Sequence, residues 1–196
     1  MNTIVLASNN KHKIEEFKQI LKTNIIPMEE IGFCDDILED GKTFYENSLI
    51  KAQAVSKFLK ARGLEYDVLA DDSGLCVNAL DGEPGIYSAR YGGNHDDEAN
   101  RQKLLKNLLD KPDRTAYFMC NLVLLKPDGT IVQGIGKTFG HILTEKDGNS
   151  NFAYDCLFYS DELGKSFSSA TPEEKNSVSH RGKAIKDLLI NLNKKS

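Results

Sequence analysis

Hydrophobic residues recur along this chain with two periods. Residues 3–7 and 67–70 are short aliphatic and β-branched runs that read as buried strands, and Leu75, Val77 and Ala79 alternate as in a further strand. Ile14, Phe17 and Leu21 recur at helical spacing, as do Ala52, Val55 and Leu59 in a longer helix. Ser8 or Asn10 caps the first of these, while Thr43 and Glu46 form a capping box that opens the second, which ends near Gly63. Residues 25–28 read as a short edge strand. Residues 95–109 read as an amphipathic helix with Leu104, Leu105 and Leu108 inward and His95 at the surface. A long strand over 114–126, a turn at Pro127-Asp128-Gly129 and a returning strand over 131–142 predict a hairpin, with Gly134, Gly136 and Gly140 marking bulges or bends. A second capping box, Thr171 to Glu174 with proline at the first helical position, leads into a final helix burying Ile185, Leu188, Leu189 and Leu192. The pattern predicts an α/β fold in which the hairpin extends the sheet beyond its parallel part. Any second lobe is expected from that hairpin.

Length and charge narrow the picture. The 196 residues suit a single domain, 1–196, with a sizeable core. A formal net charge of -4 gives no general attraction to nucleic acid or to an anionic membrane, so a phosphate site requires a local cluster of cations. Cys34, Cys76, Cys120 and Cys156 are too widely spaced to suggest a zinc site or a disulfide framework, and Cys76 and Cys120 read as small buried hydrophobes. No stretch has the length of a membrane-spanning helix, and the N-terminus lacks the features of a signal peptide. A cytoplasmic protein is expected.

The candidate chemistry centres on Asp71-Asp72-Ser73-Gly74, where a strand is expected to give way to a turn. Side chains alternate along extended backbone, so the two carboxylates should point to opposite sides; an ordinary Asp-Ser-Gly turn is the other reading. The loop from Asp35 to Gly41 is dense in acids and reads either as a Mg²⁺ site or as a solvated acidic loop. Ser8 to Lys13 places polar residues and two lysines at a helix N-terminus, which reads either as an ordinary capped surface helix or as an anion site. Asn47 and Lys51 share one helix face. Phe152 and Asp155, after the polar loop at 148–151, suit a flat heterocycle, or core packing and a turn cap. Lys175, His180 and Arg181 read as cations near the start of the final helix, which is unfavourable without an anionic partner. There is no P-loop, no Asp-x-Asp pair and no nucleophile triad, which leaves metal-assisted attack of water as the simplest reaction.

Five blocks occur together: Ser8-x-Asn10-x-x-Lys13; Thr43-Phe44 with Glu46-Asn47 and Lys51-Ala52; Asp71 to Leu75 continuing to Gly82 and the run Pro84 to Tyr91; Phe152-x-Tyr154-Asp155; and Glu174-Lys175 with Ser179 to Gly182. In this order the chain resembles the inosine triphosphate pyrophosphatase family (XTP/dITP diphosphatases) nearly end to end. The resemblance implies a mixed α/β fold with a long twisted sheet flanked by helices, two lobes with a cleft between them, and a homodimer. It implies Mg²⁺-dependent hydrolysis of non-standard purine triphosphates (ITP, dITP, XTP) to monophosphate and pyrophosphate. Carried over, Asp72 is the general base and a metal ligand, with Glu39 as the second ligand. Ser8, Asn10, Lys13, Ser73 and Lys175 hold the triphosphate, with Asn9, Lys11 and His12 in the same loop. Phe152 stacks on the base beside Ala153 and Tyr154, and Asp155, His180 and Arg181 read its edge. Ala153 replaces the family's usual Gly and Cys156 its usual Pro. A pyrophosphatase for other modified nucleotides and a non-catalytic triphosphate sensor are the alternatives.

Overall fold

The computed structural model describes residues 3–93, 95–148 and 152–194; the predicted polar loop lies, beyond Gly148, outside them. In chain order the elements are β1 (Ile4–Leu6), α1 (Lys11–Leu21), β2 (Ile25–Pro27), α2 (Phe44–Lys60), β3 (Asp67–Val77), α3 (Asp97–Asn107), β4 (Thr115–Leu125), β5 (Ile131–Ile142), β6 (Phe158–Ser160), β7 (Lys165–Ser166), α4 (Pro172–Val178) and α5 (His180–Lys194). The seven strands form one sheet in the order β2-β1-β3-β4-β5-β6-β7. β1 pairs in parallel with β2 and β3, whereas β6 pairs antiparallel with β5 and β7. The expected mixed α/β class is what is found, with β2 at the sheet edge.

The chain divides into two compact units, Met1–Asp72 with Cys120–Ile135 and Ala184–Ser196, and Ser73–Met119 with Gly136–Lys183. The expectation that a second lobe would come from the hairpin is corrected here. The hairpin turn belongs to the first unit, and the second is built largely from Ser73–Met119 and the chain after β5.

In the first unit strand alternation sorts the core into two. Ile4, Leu6, Leu69, Leu122 and Leu124 pack with Ile14 and Phe17 of α1 and with Ile185 and Leu188 of α5. Their neighbours Val5, Ala7, Val68, Ala70 and Val123 pack with Ala52, Val55 and Leu59 of α2. Successive side chains leave a strand on opposite faces, so a sheet covered by helices on both faces reads as continuous apolar runs. The second unit has its own core, in which Leu75 and Val77 pack with Leu104 and Leu108 next to α3 and with the aromatic group Phe118, Phe158 and Phe167.

Several local expectations are revised. Asp71 to Gly74 do not form a turn; β3 runs unbroken for 11 residues through them. Buried and exposed positions alternate without interruption along β5, so its glycines mark no bulge. Gly134 lies against the Ala184 carbonyl oxygen and Leu188, and Gly140 against the Tyr159 carbonyl oxygen, so each is a point of close approach. The Thr43 hydroxyl accepts from the Glu46 N–H at 3.1 Å, but the Glu46 carboxylate accepts from the Lys42 N–H rather than closing the box. The predicted final helix is two helices. The capping box at Thr171 opens α4, Ser179 leaves the helical region at ψ 154, and its hydroxyl accepts from the Gly182 N–H to cap α5.

A methyl group added at Gly134 would overlap the backbone oxygen of Ala184 and approach Leu188 Cβ to 2.7 Å. Backbone cannot swing aside as a flexible side chain does, so Gly134→Ala should destabilise by about 1–3 kcal/mol. That corresponds to a fall in Tm of roughly 2–4 °C per kcal/mol for a chain of this size. An unchanged melting temperature would show that the contact relaxes freely.

Candidate active site

Two adjacent acids in one strand must diverge. Asp71 follows Leu69 in the alternation and shares the face covered by α1; Asp72 follows Ala70 and shares the face covered by α2. Their partners come from those helices. Lys13 of α1 reaches both carboxylate oxygens of Asp71, with Nζ 3.2 and 2.9 Å away. Asn47 of α2 donates its side-chain amide to Asp72 Oδ2 at 2.9 Å. Both acids are buried, Asp71 to 1% and Asp72 to 8% exposure. Removing a carboxylate from water is expensive unless it is paired and hydrogen-bonded, which is why these partners are required.

The acidic loop after β2 contributes one residue to this cluster. Glu39 is half-buried, while Asp35, Asp36 and Asp40 are exposed. Lys51, one turn beyond Asn47 on α2, donates to Glu39 Oε2 at 2.8 Å. Burial alone would lower the Lys51 pKa, but the charges of Asp71, Asp72 and Glu39 outweigh it and hold the ammonium above its usual value. Asp72 moves the other way for a carboxyl. Burial raises its pKa, and Lys51, the Asn47 hydrogen bond and Lys13 only partly offset that. Sequence reasoning placed Asn47 and Lys51 on one helix face without assigning them to the site; their i, i+4 spacing opposite an acidic strand was the available signal.

The Ser8 to Lys13 segment is committed to structure as well as exposed. Asn10, not Ser8, caps α1 by accepting from the Lys13 N–H at 3.1 Å, and Ser8 Oγ accepts from the Asn10 N–H at 3.2 Å. Asn9 Oδ1 accepts from the Glu29 N–H at 3.2 Å. Asn9, Asn10, Lys11 and His12 are exposed, Ser8 and Lys13 half-buried, and Ser73 half-buried in β3.

The second unit gathers the aromatic residues. Lys175 Nζ donates to Asp155 Oδ2 at 2.7 Å and sits 5.2 Å from the ring centre of Phe152. Lys175 lies in the last turn of α4, where a cation is favourable, so the expected conflict with a helix dipole holds only for His180 and Arg181, which open α5. Both are buried, and the His180 ring stacks on Phe118 at 4.8 Å. Tyr154 is a core residue: it is buried and its hydroxyl donates to the Ser88 carbonyl at 2.8 Å. Ala153 adopts φ 46, the left-handed region that an alanine enters only at a cost. Its N–H donates to Asp97 Oδ2 at 2.9 Å and its carbonyl accepts from Arg101 Nη1 at 2.6 Å. The sequence alone assigned no role to Asp97 or Arg101.

The two acids should separate in mutation. Asp72 ionises against burial, and its raised pKa means stability that is full below the ordinary carboxyl range and declines as pH rises through the folded value. Asp72→Asn should therefore melt higher than the parent at pH 7 and no higher at pH 3. Asp71→Asn removes a charged partner from Lys13 and should cost about 1.5–3 kcal/mol. A lower Tm for Asp72→Asn at neutral pH would reverse the assigned sign.

The Ham1 family model matches residues 4–190. A dITP/XTP pyrophosphatase of Clostridium perfringens is 46% identical over 199 residues, covering 98% of each chain. One from Staphylococcus epidermidis is 44% identical over 94% of this chain and 93% of its own. Among solved structures, the Staphylococcus aureus Ham1 protein superposes with a TM-score of 0.86 at 41% identity over 100% of both chains. The Mycobacterium abscessus nucleoside-triphosphatase, or dITP/XTP pyrophosphatase, gives 0.74 at 36% identity, covering 95% of this chain and 98% of its own. With the fold, the acidic strand and near full-length identity in agreement, the chain belongs to the Ham1 family.

Proposed function

We propose that this chain hydrolyses non-standard purine nucleoside triphosphates, ITP, dITP and XTP, to the monophosphate and pyrophosphate. The observation that carries the reading is Asp72, a buried carboxylate held by Asn47 and facing the ammonium of Lys51. Near full-length identity to relatives named dITP/XTP pyrophosphatase supports the substrate class. Asp72 accepts a proton from water as its oxygen bonds to the α-phosphorus. The bond from that phosphorus to the bridging oxygen breaks, and pyrophosphate leaves. A carboxyl raised above its ordinary pKa by burial is a better proton acceptor once ionised.

Glu39, Asp71 and Asp72 carry three formal negative charges against the two ammonium groups of Lys13 and Lys51. The carboxylate donors are hard oxygens. Among the described residues no group of three His, Cys, Asp or Glu could hold a metal. This donor set suits Mg²⁺, which is usually bound by one or two carboxylates together with substrate phosphates. Glu39 and Asp72 are its proposed ligands. When bound, the ion offsets phosphate charge and lowers the pKa of water. Ser8, Asn10, Lys13, Ser73 and Lys175 are the proposed phosphate contacts, with Asn9, Lys11 and His12 flanking them.

Phe152 is the proposed platform for the base, with Asp155, His180 and Arg181 reading its edge. Inosine and xanthine present a 6-oxo acceptor where adenine presents a 6-amino donor. Donors matched to the oxo group would lose their partners against adenine, at roughly 1–3 kcal/mol for each buried group. The chain is proposed to act as one functional domain, a cytoplasmic homodimer. No described helix is long and apolar enough to cross a membrane.

A triphosphate panel with and without added inorganic pyrophosphatase, read as orthophosphate, tests the reaction. Orthophosphate should appear from ITP and XTP only with the auxiliary enzyme and with Mg²⁺. kcat/KM should fall by about 10²–10⁴-fold from ITP to ATP, with GTP between them, and Arg181→Ala should lose more ITP than ATP activity. Equal rates on ATP and ITP would overturn the pocket, inosine diphosphate as first product would overturn the reaction, and turnover in excess chelator would overturn the metal. No turnover of any triphosphate would leave a sensor.

The pH profile isolates the base. Activity should fall as pH drops through the raised Asp72 value, and Lys51→Met should shift that acid limb upward, because Lys51 is the charge that most lowers the Asp72 pKa. Asp72→Asn should cost about 10²–10⁴-fold in kcat, and Asp71→Asn much less. An acid limb unmoved by Lys51→Met would place the titration on another group.

A further inference from the structure

Helix α3 holds the backbone of one residue through two side chains. Asp97 accepts from the Ala153 N–H at 2.9 Å and Arg101 donates to the Ala153 carbonyl at 2.6 Å. The two are four apart on α3 and so share one face. Between them they satisfy both polar groups of a residue at φ 46. An alanine has no local preference for that conformation, whereas a glycine enters it freely. The conformation is therefore imposed from outside, by α3.

The clamp is itself braced. Arg101 is 4% exposed, and Glu98 Oε2 accepts from its Nη2 at 3.0 Å. Glu98 also pairs with Lys146 at 2.5 Å, and the two cations hold its carboxyl down to about 2, so it stays ionised at any working pH. Ala153 packs against the core of the second unit, but that contact is apolar and does not engage its N–H or carbonyl. The apolar contacts of α3 are made by Leu104 and its neighbours, one turn further along.

We propose that Asp97 and Arg101 are positioning residues for substrate: by holding Ala153 in the left-handed conformation they fix the direction of the adjacent Phe152 ring, and with it the fit of the purine. The proposal rests on the reading of Phe152 as the base platform. A glycine would enter this conformation unaided; here alanine does so under the clamp. The effect should appear in KM, since the groups that move the proton lie elsewhere.

Steady-state kinetics on ITP, with a thermal melt of every variant, test this. Asp97→Ala should raise KM on the order of tenfold, the loss of one hydrogen bond, and leave kcat within about threefold. Asp97→Asn keeps an acceptor oxygen and should stay near the parent. Adding Ala153→Gly to Asp97→Ala should return KM to within about threefold of the parent, because glycine needs no clamp. Arg101→Lys, which keeps the charge beside Glu98 but not the reach to the carbonyl, should show the same rise and the same rescue, and serves if Asp97→Ala does not fold. A melting temperature that falls while KM stays put, with Phe152→Ala still raising KM, would overturn the positioning role and leave the platform standing. A KM unchanged by Phe152→Ala would overturn the platform and this inference with it. A KM rise that Ala153→Gly does not relieve would overturn the conformational argument.

Discussion

Burying an ionised carboxylate in a strand covered on both faces is the constraint from which the first unit follows. Asp72 is buried in β3, and the effective cost of taking such a charge out of water is several kcal/mol before compensation. Compensation has to come from the element on the face to which alternation sends the side chain, and that element is α2. Its Thr43 cap fixes where the helix starts, and the start fixes that Asn47 and Lys51 lie one and two turns in. Asp71, one residue earlier in the strand, is committed by the same rule to α1 and receives Lys13. Neither helix carries its cation to satisfy its own backbone. Each is placed by its apolar stripe, and the cations arrive opposite the acids because the stripes and the strand share a register.

Much of this was legible in the sequence. Helix and strand periods gave α1, α2, β1 and the β4–β5 pair nearly to the residue, because long periodic segments with caps over-determine themselves. The opposite pointing of Asp71 and Asp72 followed from the strand period alone. So did the shared face of Asn47 and Lys51 from the helical one.

The misses have one physical origin. Reading Asp-Asp-Ser-Gly as a turn applied local propensity, whereas partners on α1 and α2 make it possible to keep two acids inside a strand. Gly134 and Gly140 were read as bends because glycine frees the backbone; their actual use is steric, letting another chain segment approach. Lys175 was assigned to the start of a long helix, because nothing local announces that Ser179 breaks it. In the acidic loop, composition could not say that Glu39 alone among the acids turns toward a lysine. Each case turns on a neighbour distant in sequence, which periodicity does not encode.

The two units treat their charges differently. In the second unit Asp155 pairs with Lys175, and Glu98 with Lys146 and Arg101, and those ion pairs can hold geometry fixed. In the first unit Glu39, Asp71 and Asp72 share the ammonium groups of Lys13 and Lys51. A buried ion pair resists a change of charge, because any ion added or removed leaves a buried partner unmatched. Asp72 instead carries a cost that burial imposes and that Lys51 and the Asn47 hydrogen bond only partly offset, which is what raises its pKa. The buried acids of the first unit therefore carry an electrostatic cost, whereas the ion pairs beside Phe152 and Ala153 hold geometry in the second.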